Sequence, residues 1–196
     1  GVSGINGVEW DAVELPSQFM ENFVWEYDVL AQMSSHEETG AVLPKELFDK
    51  MHAAKNFQRG MFLVRQMEFA LFDMEIYHQE DEGRLKEWPQ ILDKVRQEVA
   101  VTQPPAYNRF ALSFSHIFAG GYAAGYYSYA WAEVLSADAY AAFEESDDVA
   151  ETGRRFWKEI LAVGGSRSAA ESFKAFRGRE PSLDALLHHS GFDNAA

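Results

Sequence analysis

Two short stretches of this chain carry side chains whose types and spacing could do chemistry. The first is Gly7 to Phe23, where Asp11 and Glu14 stand three residues apart at the start of a helical pattern. That spacing points both carboxylates the same way. Acidic groups at a helix start also complement the positive end of the helix dipole, so the pair has a purely structural explanation as well. The second stretch runs from Phe114 to Trp131. If a helix begins near Tyr122, then Tyr122, Tyr126 and Tyr129 fall at i, i+4 and i+7 on one face. Tyr127 and Trp131 occupy another face. Gly120-Gly121 allows a tight bend, which would let His116 fold back over the tyrosine row. Three phenols and an imidazole on one surface would offer donors to a peptide carbonyl or an oxyanion. The alternative is an aromatic packing stripe whose hydroxyls are satisfied by backbone.

Helices must position these groups. Phe19, Met20, Phe23, Val24, Tyr27 and Leu30 recur at helical spacing and predict a helix over about 10–33 with a buried face. Pro16 is tolerable there only near the first turns. Pro44 predicts a first helical position for a helix to about Ala54. From Asn56 or Phe57 to His78 the chain is apolar on more than one side. Met61, Val64, Met67, Leu71 and Met74 form one stripe; Phe62, Phe69, Phe72 and Ile76 form another. Such a helix predicts the inner wall of a bundle. Gln66 and Asp73, seven apart, read as exposed positions on a partly solvated side, although they could reach a polar cleft.

Residues 79–87 read as a charged surface connection, and Pro89 opens a helix to about Val99 with Lys94 and Arg96 exposed. The tyrosine helix is expected over about 121–145, with another inside 147–163. Ser168 caps a short helix through Phe176, and Pro181 starts a last one that ends before Gly191. No strand-like alternation competes with these patterns. An all-α, multi-helix bundle in one domain is the fold expected.

Composition narrows the function classes. The 196 residues are 47% hydrophobic and 24% charged, which is enough apolar content for a buried core. A net charge of −14 argues against nucleic-acid phosphate or an anionic membrane as partner. The absence of cysteine removes disulfides and thiolate metal sites, and fits a reducing compartment. Residues 111–132 carry no formal charge and are long enough to span a bilayer. They also hold His116, three serines and four tyrosines, and the double glycine interrupts them, so a buried helix is expected instead. Glu75-x-x-His78 has di-iron ligand spacing but occurs once, and the adjacent His188-His189 cannot act as an i, i+4 metal pair. Arg154-Arg155 and Arg177 to Arg179 read as surface pairs for nearby acids rather than anion sites.

Taken together, the segments Asp11 to Phe23 and Phe114 to Tyr129 resemble the thimet oligopeptidase family of zinc peptidases. The resemblance continues through the block Phe176-Arg177-Gly178-Arg179-Glu180-Pro181. It implies that Glu14 is the third zinc ligand, that His116, Tyr122 and Tyr129 bind substrate and steady the transition state, and that Tyr126 lines the cleft. By the same likeness Asp11 would orient a ligating histidine from the second shell of the metal. The family's remaining ligands and general base lie in an H-E-x-x-H helix upstream of the glutamate, and no such motif occurs here. The chain therefore reads as the C-terminal part of a zincin-type oligopeptidase catalytic domain, truncated before that helix. One zinc ion, short peptide substrates, the missing N-terminal part as partner and a cytoplasmic location are implied for the complete enzyme. The isolated chain is expected to lack stoichiometric zinc and activity, and two copies could pair through the uncovered surface. The competing class is a non-enzymatic helical bundle that binds a peptide or protein in an aromatic groove. It predicts an inward-packed tyrosine row and a Glu14 that meets no cleft.

Overall fold

A computed structural model describes residues 4–78 and 84–192. Among them every regular element is helical, as the periodicity predicts. In chain order these are α1 (Gly4–Gly7), α2 (Trp10–Val13), α3 (Leu15–Glu21), a 3-10 turn (Asn22–Trp25), α4 (Tyr27–Met33), α5 (Lys45–Ala54) and α6 (Arg59–Tyr77). A 3-10 turn (Arg84–Glu87), α7 (Trp88–Val99), α8 (Phe110–Ser113), α9 (Ser115–Phe118) and α10 (Ser128–Glu144) follow. Next come α11 (Val149–Phe156), which continues into a π turn (Trp157–Leu161), α12 (Ala169–Arg177) and α13 (Asp184–His189). The predicted connection over 79–87 falls partly outside the described residues. No helix is long and apolar enough to cross a membrane.

The chain forms two compact units, one from the residues up to Phe57 together with those from Trp131 onward, the other from Gln58 to Ala130. In the first unit the single helix expected over 10–33 is broken into pieces. Proline has no N–H, and its ring crowds the carbonyl four residues earlier, so Pro16 ends α2 and is accommodated in the first turn of α3. Between them Glu14 takes φ −93° and ψ 0°, and at Glu26 the backbone turns extended. Phe19 is the anchor of this region. It stacks on Phe156 with ring centroids 3.9 Å apart and leans on Phe143 at 5.2 Å. Leu15, Tyr140, Phe173 and Phe176 complete the core around it. Each such side chain contributes about 1.5–3 kcal/mol when fully buried. Met20 and Val24, expected inside, are exposed: Met20 follows Phe19 on the same helix and so points to a different side, and Val24 lies in the 3-10 turn.

Asp138 ties the C-terminal helices together. It is fully buried on α10 and accepts from Arg177 Nε (2.9 Å), both Arg179 Nη atoms (2.7 Å each) and the Ser182 N–H (2.8 Å). Arg177 also makes a two-pronged pair with Glu145. α12 begins with the expected Ser168 cap, completed by Glu171 into a capping box, and ends at Gly178 with φ 77°. The last helix starts at Asp184 rather than Pro181. The Ser182 N–H is spent on Asp138, and the Ser182 hydroxyl accepts the Asp184 N–H.

The second unit packs α6, α7, α8 and α9 around Phe72, Ile76, Ile91, Leu92, Phe114 and Ile117. Only Phe69, Phe72 and Ile76 of the phenylalanine stripe of α6 form the inner wall: Phe72 and Ile76 are buried and Phe69 stacks on Phe110 at 4.6 Å. Met61, Phe62, Met67, Leu71 and Met74 are exposed, so the helix is covered on one side instead of all round. Arg96 is buried, contrary to its polar pattern. Its Nε donates to buried Glu68 at 2.9 Å and its Nη2 to Asn108 at 3.2 Å, while Arg65 holds the other Glu68 oxygen at 2.6 Å. A buried charge is tolerable only when paired in this way.

Candidate active site

The tyrosine segment is where local structure departs most from expectation. α10 starts at Ser128, so Tyr122 and Tyr126 belong to a turn-rich loop and only Tyr129 lies on the helix. Two residues keep the helix from beginning earlier, for Gly121 has φ 84° and Ala124 has φ 54°. A left-handed conformation cannot be part of an α-helix, and it is uncommon for alanine.

The side chains nevertheless gather as the spacing implies. Tyr122 and Tyr129 stack at 4.9 Å, and Tyr126 lies 5.1 Å from Tyr129. The His116 ring stands 6.1 Å from Tyr122, 5.8 Å from Tyr126 and 6.0 Å from Tyr129, edge-on to each. The glycine pair makes this fold-back possible. A Cβ on Gly120 would lie 2.9 Å from the His116 Cα, so the chain can double back that closely only without a side chain there. The Tyr122 N–H then donates to the His116 carbonyl at 2.9 Å. His116 is exposed, whereas Tyr122, Tyr126 and Tyr129 are half-buried.

Support for this cluster comes from α6. The Asp73 carboxylate is fully buried and accepts from the Ala124 N–H at one oxygen and the Tyr126 N–H at the other, both at 2.9 Å. Burial pushes the Asp73 carboxyl above its ordinary value, against the pull of the Tyr126, Ala124 and Gly125 N–H groups. The Tyr126 hydroxyl donates to Gln66 Oε1 at 3.1 Å. Burial, with the neighbouring Tyr129, raises the Tyr126 phenol, which stays protonated at neutral pH. Tyr77 adds a third tie, donating to the Ile117 carbonyl at 2.6 Å. Gln66 and Asp73 are thus not exposed surface positions, since both end on the tyrosine segment. Their spacing of seven on one helix was the visible signal, but nothing local identified their target.

Glu14 and Asp11 lie in the first unit. Both are half-buried at the break between α2 and α3, and Glu14 sits in the sparsely populated bridge region that active-site residues often occupy. The Ser17 hydroxyl donates to Glu14 Oε2 at 2.7 Å and reaches the Glu14 carbonyl at 3.0 Å, which holds that carboxylate oxygen in place. Ser17 escaped the sequence reading although it stands three residues after Glu14. Among the described residues no group of three or more His, Asp or Glu side chains could hold a metal ion. One carboxylate such as that of Glu14 does not by itself make a zinc site. Two other histidines have structural partners: His189 meets Glu144 at 2.9 Å, and His36 Nδ1 accepts the Glu38 N–H.

Comparison with known proteins adds an independent observation. Residues 1–192 match Peptidase family M3. Over 192 residues the chain is 56% identical to Oligopeptidase A of Salmonella typhimurium, covering 97% of this chain and 28% of that protein. It is 50% identical over 195 residues to the organellar oligopeptidase A, chloroplastic/mitochondrial, of Arabidopsis thaliana, covering 97% of this chain and 25% of that one. Dipeptidyl carboxypeptidase of Escherichia coli is 34% identical over 189 residues, covering 93% and 27% respectively. The chain spans about a quarter of the length of these relatives.

Proposed function

Because this chain belongs to Peptidase family M3, we propose that residues 1–196 are the C-terminal part of the catalytic domain of a zinc-dependent oligopeptidase that hydrolyses short peptides. The observation that carries this reading is the match to oligopeptidases along 97% of the chain, joined to a His116–tyrosine cluster of the kind an oxyanion needs. Zinc, when bound, would supply Lewis acidity and lower the pKa of a coordinated water to about 7. Glu14 would give it one carboxylate oxygen, oriented by Ser17, and Asp11 would hold a ligating imidazole from behind. The remaining ligands and the general base would come from an H-E-x-x-H helix outside this sequence. Short peptides would be the substrates and the cytoplasm the working compartment.

The phenols divide by role. Tyr126 spends its hydroxyl hydrogen on Gln66, so it lines the cleft and can only accept there. Tyr122 and Tyr129 would donate to the developing oxyanion, with the exposed His116 ring against the substrate backbone. A donor of this type contributes about 2.7–4 kcal/mol to the transition state. The test is made in the full-length protein with a quenched fluorescent peptide. Glu14→Gln is expected to release zinc and abolish turnover. Tyr122→Phe and Tyr129→Phe are expected to retain zinc, and at least one to lower kcat by about 10²–10³-fold. Unchanged kcat in both tyrosine variants, or full zinc retention in Glu14→Gln, would refute these roles.

A further inference from the structure

The loop that carries Tyr122 and Tyr126 is tied at its C-terminal end by the Ser128 N–H and hydroxyl, which reach the Gly125 carbonyl at 3.1 and 2.7 Å. Within it the Tyr122 N–H reaches the His116 carbonyl and the Gly125 N–H reaches the Tyr122 carbonyl, both at 2.9 Å. Its two left-handed residues are Gly121, which accepts that conformation readily, and Ala124, which does not. An exposed alanine keeps φ 54° only where the surroundings over-determine it. Those surroundings are the Asp73 oxygens, one on the N–H of Ala124 and the other on the N–H of Tyr126.

We propose that Asp73 is a positioning residue for the peptidase site: from the rigid helix α6 its carboxylate clamps the backbone on both sides of Gly125, while Gln66 fixes the Tyr126 hydroxyl, and together they aim the tyrosine row. The inference rests on the transition-state role assigned above to that row. A carboxylate suits the task because it is acceptor-only at both oxygens, and bonds to an ionised acceptor are the stronger kind. An asparagine in its place would turn an NH2 group toward one of the two N–H donors. The clamp touches only backbone, so it constrains where Tyr122 and Tyr126 stand without itself meeting substrate. Its helical base suits this, because sites supported from helices hold their geometry better than sites supported from loops.

The experiment compares Asp73→Asn with Ala124→Val in the full-length enzyme. The valine variant is a second route to the same loop, since a β-branched residue opposes positive φ at an exposed position that fills no core. Hydrogen exchange of the peptide spanning 120–127 is followed by mass spectrometry, and kcat and KM are measured separately. Both variants should speed exchange in that peptide by at least about tenfold, with the rest of the unit still protected. Both should lower kcat by about 100-fold, the effect of an ångström-scale misplacement, while KM stays within about threefold. Unchanged exchange in the folded Asp73→Asn protein overturns the clamp. If that protein does not fold, Ala124→Val decides, and a kcat within about twofold of the parent overturns the positioning role. Should Tyr122→Phe and Tyr129→Phe both keep full kcat, the catalytic reading of the row fails. The exchange result would still decide whether Asp73 holds the loop.

Discussion

Replacing Asp138 by alanine tests what fastens the C-terminal helices of the first unit. The carboxylate is 0% exposed and receives four hydrogen bonds, two of them from Arg179, one from Arg177 and one from the Ser182 N–H. Removing one partner of a buried ion pair costs about 3–5 kcal/mol, because the other charge is left in the interior. The local geometry points to the lower end. Arg177, whose side chain is only 7% exposed, keeps Glu145, and Arg179 at 45% exposure can turn to water, where its pair is largely screened. A loss of about 3 kcal/mol is therefore expected, equivalent to a fall in Tm of roughly 6–12 °C for a chain of this size.

The assay is urea and thermal unfolding followed by tryptophan fluorescence, with Arg179→Ala alongside, which should also destabilise because it strips two of the four hydrogen bonds from the buried Asp138 carboxylate. The pH dependence supplies a second check. Burial alone would raise the Asp138 carboxyl, but hydrogen bonds from Arg179 and Ser182 and the charges of Arg177 and Arg179 outweigh it, so the folded value lies below the ordinary one. A depressed carboxyl contributes stability that is fully present above the unfolded pKa of about 3.9 and is lost as pH falls through the folded value. The gap between parent and Asp138→Ala should be flat from pH 5 to 8 and close below about pH 4. A loss under about 1 kcal/mol in Asp138→Ala would show that the cluster is only a surface pairing.

Gly120→Ala should push the His116 backbone aside, since the added Cβ would lie 2.9 Å from its Cα. Overpacking of this kind costs about 1–3 kcal/mol in thermal unfolding, and kcat of the full-length enzyme should fall with it. Arg96→Ala should cost about 3 kcal/mol, the low end of the range for a broken buried pair because Arg65 still holds one Glu68 oxygen, whereas the double change Glu68→Leu with Arg96→Met should recover most of it. Ser17→Ala should weaken zinc retention by the full-length enzyme about 10–100-fold in a chelator competition, because Glu14 would lose the hydroxyl that orients it. The 196-residue chain by itself should not hydrolyse a fluorogenic peptide, and chelator-sensitive hydrolysis by it would overturn the assignment of Glu14 as one ligand among several.

What could be read from the sequence was whatever depends on near neighbours. The all-helical fold followed from apolar periodicity, the start of α12 from Ser168, and the gathering of His116 with the tyrosines from a glycine pair between them. The route to that gathering was misjudged. A helix beginning near Tyr122 and a loop clamped at Ala124 both bring Tyr122, Tyr126 and Tyr129 together, and periodicity cannot distinguish them. The deciding contact comes from Asp73, 51 residues away from Ala124. The break at Pro16 was likewise signalled by its own proline, yet a period-3.6 pattern runs straight through it. The exposed methionines of α6 show the converse, since a stripe records that a face is apolar and says nothing about whether anything covers it.

The polar residues that a helical pattern does not explain share one physical cause. Asp73, Glu68 and Asp138 all look like solvated helix positions in a one-dimensional pattern, and all are essentially buried. Their partners come from distant segments: the 124–126 backbone, Arg96, and the 177–182 strap. Apolar faces specify that helices form and pack, but they leave the irregular segments between helices free to adopt many courses. A buried carboxylate removes that freedom, because leaving it unpaired is so costly that only one course of the segment satisfies it. The tyrosine loop and the Arg177–Ser182 strap are therefore directed by single acids on α6 and α10, and a change at either acid should disturb the segment it holds more than the helix that carries it.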